Sequence, residues 1–179
     1  MDAIIKINQN SHLNCDFSAH FFDLSKNQLL DTFANWGPTY EVSFDITVKS
    51  LTFEGWINVI HFTTEGSMVE IGNQIPALFL NSEGYFHFCS AVNDQINYQY
   101  NYDFVIDHQY HVIIKQTEDT YSINIDGEIV DSQASQPHEF TNILFYASDP
   151  WYNSFSFDIG MLANLAINHG ISNYLIIIE

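Results

Sequence analysis

From Tyr40 to Val48 apolar and polar positions alternate without a break. Tyr40, Val42, Phe44, Ile46 and Val48 fall on one side, and Glu41, Ser43, Asp45 and Thr47 on the other. A period of two belongs to a strand with one face buried. The runs 56–64 (WINVIHFTT) and 85–92 (YFHFCSAV) are more continuously apolar and predict central strands. Further strands are predicted at 75–80, 96–102, 110–116, 121–126, 142–147 and 161–167, and weaker ones at 3–7, 19–24 and 174–178. In TYSINIDGEIVDS the pair Asp126-Gly127 separates two alternating runs. Asp-Gly readily takes the positive φ angles of a type I′ turn, so a hairpin is expected there. The segment 24–36 (LSKNQLLDTFANW) is read as one helical turn capped by Ser25 and ended by Gly37-Pro38. Nothing else carries a helical period. Short strands punctuated by turns every few residues predict a sandwich or barrel. About a dozen strands exceed the seven of an immunoglobulin-type domain and fit a double-sheet jelly roll.

Composition narrows the partners. At 179 residues, 46% of them hydrophobic, the chain can bury the core of one domain, and one domain spanning 1–179 is expected. It carries 22 acidic residues against four lysines (Lys6, Lys26, Lys49, Lys115) and no arginine, for a formal net charge of −18. Such a chain repels phosphate backbones, which argues against nucleic acid as a partner. It also lacks the guanidinium fork that clamps carboxylates and phosphates. No apolar run is long enough to insert in a membrane, and the first residues do not read as a signal peptide. The compartment stays open: extracellular if a signal has been removed, otherwise cytoplasmic. Cys15 and Cys89 show neither CxxC nor metal spacing. Free thiols are favoured over a disulfide between them.

Three segments in order carry a resemblance. They are YEVSFDITVKSLTFEGWINVIHFTT, the hairpin segment YHVIIKQTEDTYSINIDGEIVDS, and NILFYASDPWYNSFSFDIGMLANLAI. Together they resemble the concanavalin A-like lectin/glucanase superfamily, and within it laminin G-like modules, across residues 38–168. The resemblance implies an all-β, two-sheet antiparallel jelly roll of about 12–14 strands. It also implies glycan or protein binding, often with calcium at one rim, and glycoside hydrolysis in some members. Fold alone does not choose among these.

A glycoside hydrolase needs two carboxylates about 5–10 Å apart. The nearest match to the family's acid triplet is Asp126, Glu128 and Asp131 in DGEIVD, but Gly127 places Asp126 in a turn. A solvated hairpin is the better reading, and no catalytic residue is assigned. The eight histidines are scattered, without the tight spacing that zinc ligands show. His61 and His87 sit mid-strand among apolar neighbours and read as core or sheet-face residues. Calcium takes oxygen ligands from loops. Candidates are Asn93, Asp94 and Asn97, with Asp149 and Asn153 around the DPWY corner.

A sugar presents an apolar ring face edged by hydroxyls, so its site pairs an aromatic ring with Asp, Asn or Gln. Asp149, Trp151, Tyr152 and Asn153 offer that set in five residues, although Trp151 can equally plug a corner behind Pro150. Asn73 and Gln74, in the loop entering the 75–80 strand, could present amides at the same rim. In NYQYNY, Tyr98, Tyr100 and Tyr102 share one face and Asn97, Gln99 and Asn101 the other. Outward tyrosines would form an aromatic strip, which keeps Tyr98 and Tyr100 as ligand candidates. Inward tyrosines would leave the amides outside, and the tyrosine habit of burying its ring favours that placement.

The expected function is therefore non-catalytic recognition of a glycan or glycoprotein, with calcium as a candidate aid and no cofactor required. The alternative is a structural or adhesion protein that self-associates into a homo-oligomer through its apolar ends, AIIKI and YLIIIE. A glycoside hydrolase ranks third.

Overall fold

In the computed structural model, residues 4–8, 24–67, 70–93, 95–169 and 173–178 are described, the first and last of these segments as backbone strands. They form two sheets packed face to face. One has seven strands in the order β1 (Ile4–Asn8), β14 (Asn173–Ile178), β13 (Gly160–Asn168), β3 (Tyr40–Val48), β8 (Gln109–Gln116), β9 (Thr120–Ile125) and β10 (Glu128–Ala134). The other runs β2 (Leu29–Trp36), β11 (Phe140–Ala147), β4 (Trp56–Thr63), β5 (Ala77–Asn81), β6 (Tyr85–Val92) and β7 (Gln95–Asp103), with the short β12 (Asn153–Ser154) beside β4. All pairings are antiparallel except that of β12 with β4. The described residues contain no helix long and apolar enough to cross a membrane.

Alternation builds the core. In β3 every second side chain is buried, and Val42, Phe44, Ile46 and Val48 are fully enclosed. They face Phe86, Phe88 and Leu78 from the second sheet within one continuous cluster. At its centre Phe62 stacks on Phe145 at 4.1 Å and lies 4.7 Å from Trp36. Tyr40 crosses between the sheets to Ser90, with 3.1 Å between the hydroxyls. The Asp126-Gly127 turn takes φ of 54° and 87°, both positive as a type I′ hairpin requires, and joins β9 to β10.

Two expectations change. Residues 29–36 form β2, not a helical turn. Its buried side chains, Leu30, Phe33 and Trp36, recur every three residues and so imitate a helical period. Its pairing with β11 is irregular: the register shifts between Phe145 and Tyr146, opposite Asp31 and Leu29, and Asn142 adopts φ 56°. The apolar ends pair with each other: β14 lies between β13 and β1, so Ile176–Ile178 is an interior strand of its sheet. That placement covers the YLIIIE end and leaves β1, with the AIIKI end, as the outermost strand of the sheet. Of the weak strand expected at 19–24, residues 19–23 lie outside the described residues.

Candidate functional site

The second sheet has a free outer face, and its side chains follow from register. Across β4, β5, β6 and β7, one row is His61, Ala77, Cys89 and Gln99. The next is Asn58, Phe79, His87 and Asn101, and a third begins Trp56, Asn81 and Tyr85. Ala77, Phe79 and Cys89 form a small apolar cluster of their own on this face, with Trp56 and Tyr152 packed against it. The short Ala77 and Cys89 side chains, side by side, leave a hollow in this face. The result is a pocket of about 140 Å³ floored by Trp56, Phe79, His87, Cys89, Asn97 and Gln99, and walled by Ser67, Gln74 and Tyr152. A cavity near 150 Å³ accommodates one six-membered ring.

Two loops make the wall, and one buried pair ties them together. After β11 the chain turns out at Ser148 (φ 67°), passes through Asp149-Pro150-Trp151-Tyr152 and rejoins β4 as β12. Asp149 is fully buried and organises this corner. Its Oδ1 accepts the backbone N–H groups of Trp151 (3.0 Å) and Tyr152 (2.9 Å), and its own N–H donates to Asn58 Oδ1 (2.9 Å). Its Oδ2 lies 2.7 Å from His61 Nδ1. His61 Nε2 in turn donates to the carbonyl of Asn73, in the loop that carries Gln74. Both ring nitrogens face oxygen acceptors, so the geometry calls for a ring donating from both, paired with the carboxylate. One imidazole thus positions Tyr152 from one side and Gln74 from the other. Trp151, its ring 5.7 Å from His61 and 5.9 Å from Tyr146, covers the pair from solvent.

Two polar atoms at the pocket are both buried and without a partner. Gln74 Oε1 and Asn97 Oδ1 are buried without a hydrogen bond. Gln74 as a whole is 6% exposed. A buried carbonyl with no partner costs roughly 1–3 kcal/mol, so two beside one pocket call for an explanation, and a bound group that donates to both supplies it. Replacing Gln74 by the similarly shaped methionine is therefore expected to stabilise the fold by about 1 kcal/mol while weakening whatever the pocket binds. Urea denaturation and a binding assay on the same preparation check both signs. Cys89 brings no nucleophile: burial pushes its thiol up to about 12.

The sequence candidates are distributed as follows. Gln74 and Tyr152 reach the pocket. Asn97, considered above for calcium, lines it through an amide. Asp149 does not stand at a rim, because both carboxylate oxygens are engaged inside the corner; its candidacy as a ligand-binding or calcium residue is corrected. Asn73 is buried with its side-chain oxygen accepting from Thr64 at 2.8 Å, and only its carbonyl contributes, through His61. Trp151 and Asn153 lie beside the corner outside the pocket. Tyr98 and Tyr100 turn inward against the core, opposite to the strip that would have made them ligand residues. Tyr98 donates to both oxygens of Asp131 on β10, and burial together with that acid pushes it up to about 12. Asn93 is engaged as well: its Nδ2 donates to the Ala134 carbonyl, and its Oδ1 accepts from Gln136 N–H. Asp94 lies outside the described residues. Among the described residues no three His, Cys, Asp or Glu side chains converge as a metal site.

Trp56, Phe79, His87, Cys89 and Gln99 were not singled out from the sequence as ligand residues. Once the tyrosines of β7 turn inward, Asn97 and Gln99 must face out, and the strand register then supplies the rest. Two larger hollows exist. One, of about 390 Å³, is lined by Glu41 and Lys115, which pair at 2.8 Å, and by polar neighbours without a cluster of rings. The other, of about 360 Å³, lies beside Trp36, Phe140 and His169, and the buried Trp36 indole N–H has no hydrogen-bond partner. Neither brings rings and several unpartnered acceptors together as the outer-face pocket does.

With the two seven-stranded layers and their register established, solved structures can be compared. The botulinum neurotoxin serotype D binding domain superposes with a TM-score of 0.56 at 14% identity, covering 98% of this chain and 43% of that one. The heptameric SAP-like pentraxin of Limulus polyphemus gives 0.53 at 15% identity, covering 90% and 74%. The fold is an all-β, two-sheet antiparallel jelly roll, which these structures share. A Trypanosoma rangeli sialidase shares it in part, at 0.51 and 14% identity, over 73% of this chain and 20% of that one. The chain spans less than half of the neurotoxin domain and a fifth of the sialidase. No protein-family model and no curated protein matches the sequence.

Proposed function

We propose that this protein recognises carbohydrate, without catalysis, through the outer-face pocket of its second sheet. The observation that carries the reading is the meeting of Trp56, Phe79 and Tyr152 with two buried, unpartnered amide oxygens in a hollow the size of one ring. Sugar hydroxyls donate to such oxygens while the ring's C–H face lies on an aromatic surface. The sialidase and other similarly folded proteins add fold-level support only. The pocket lining holds no carboxylate, so the paired acids of glycoside hydrolysis have no place in it. Recognition of this kind rests on stacking and hydrogen bonds, and EDTA is expected to leave it unchanged.

A glycan array probed with the full chain, with and without EDTA, tests the proposal. Selective binding is expected, and Trp56→Ala should weaken it about tenfold, close to 1.4 kcal/mol. An array flat across all glycans, or an unchanged Trp56→Ala profile, would refute the proposal.

A further inference from the structure

We infer that the pocket is built for one neutral sugar ring and discriminates against sugars that carry a carboxylate. The inference rests on the carbohydrate reading and adds the class of sugar to it. Size gives the first limit, since about 140 Å³ admits a single ring and not a stretch of chain. Hydrogen-bond polarity gives the second. Gln74 Oε1 and Asn97 Oδ1 are acceptors without donors. A neutral sugar meets both acceptors with hydroxyl donors. A carboxylate only accepts, so it leaves both oxygens without a donor.

Charge gives the third limit. The lining contains neither lysine nor arginine, and the chain has only four cations in all. Lys115 pairs with Glu41, and Lys49 sits 3.7 Å over the ring of Phe157. Against a formal net charge of −18, an acidic sugar entering this pocket finds no lysine or arginine to pair with.

Calorimetric titration with matched methyl glycosides tests the inference. Glucose, galactose and mannose glycosides are compared with the corresponding glycosides oxidised to the acid at C6, at low and high salt. At least one neutral member should bind, and its acid partner should bind at least tenfold more weakly. The gap should persist in high salt, because the local acceptors are not screened as the long-range field is. Gln99→Arg, an exposed position on the pocket floor, should raise affinity for the acid partner several-fold. Equal or tighter binding of the acid by the unaltered protein overturns the inference and leaves the carbohydrate reading standing. An unmoved gap in Gln99→Arg overturns it too. Absence of binding by every member of both series removes the carbohydrate reading, and this inference with it.

Discussion

Asp149→Ala is expected to destabilise the protein by roughly 3–5 kcal/mol, the usual cost of removing one partner from a buried ion pair. The loss has three parts at one position. His61 keeps a buried N–H with no acceptor, and the backbone N–H groups of Trp151 and Tyr152 lose theirs. Tyr152 then has no fixed seat against Phe79, whose ring centroid is 4.9 Å away. Asp149→Asn should cost far less. The asparagine Oδ1 can still accept both backbone N–H groups, while its Nδ2 donates to a neutral His61 that keeps its bond to the Asn73 carbonyl. Urea denaturation of both variants separates shape from charge. Asparagine as damaging as alanine would show that the ionic character itself holds the corner. Near-wild-type stability of Asp149→Ala would show that the pair does not set it.

Gly160→Ala is expected to cost roughly 3 kcal/mol, at the upper end of overpacking penalties. A Cβ at this position would lie 2.3 Å from the Thr47 carbonyl oxygen and 2.4 Å from Phe155 Cζ. The first is main chain in the neighbouring strand β3, which pairs with β13 here. The second belongs to a fully buried ring. Neither can step aside by a rotamer change into open space. Phe155 also follows directly on β12, and its N–H donates to Ser148 Oγ at 2.9 Å. Displacing it disturbs the return of the corner loop to β4. The measurement is a shift of the urea midpoint at unchanged slope. A midpoint within error of wild type would mean that the strands separate easily at this point.

Legibility from sequence varied with how local the cause was. The alternation in 40–48 and the Asp126-Gly127 turn are complete within a few residues, and both are found as read. β2 was misread because Leu30, Phe33 and Trp36 are buried at a spacing of three, in a strand whose pairing with β11 is irregular. The fold class survived that error because it rests on many strands at once.

The site was less legible, for a physical reason. Asp149, Trp151 and Tyr152 look alike in a sequence as polar or aromatic corner residues. Their roles diverge only through His61, 88 positions from Asp149 in the chain, and through Asn73. The pocket floor depends on which face each strand of the second sheet turns outward. That choice was open at Tyr98 and Asn97, and the packing of Tyr98, Tyr100 and Tyr102 against the core decides it. With that one orientation, Asn97 and Gln99 face out and the cross-strand register assembles the floor.

The most direct measurement is a crystal structure of the protein soaked with the neutral methyl glycoside that binds best in solution. The ring should lie against Trp56, with hydroxyls within hydrogen-bond distance of Gln74 Oε1 and Asn97 Oδ1. A sugar seated beside Trp151 or in the polar hollow at Glu41 and Lys115, with the outer-face pocket empty, would contradict the account.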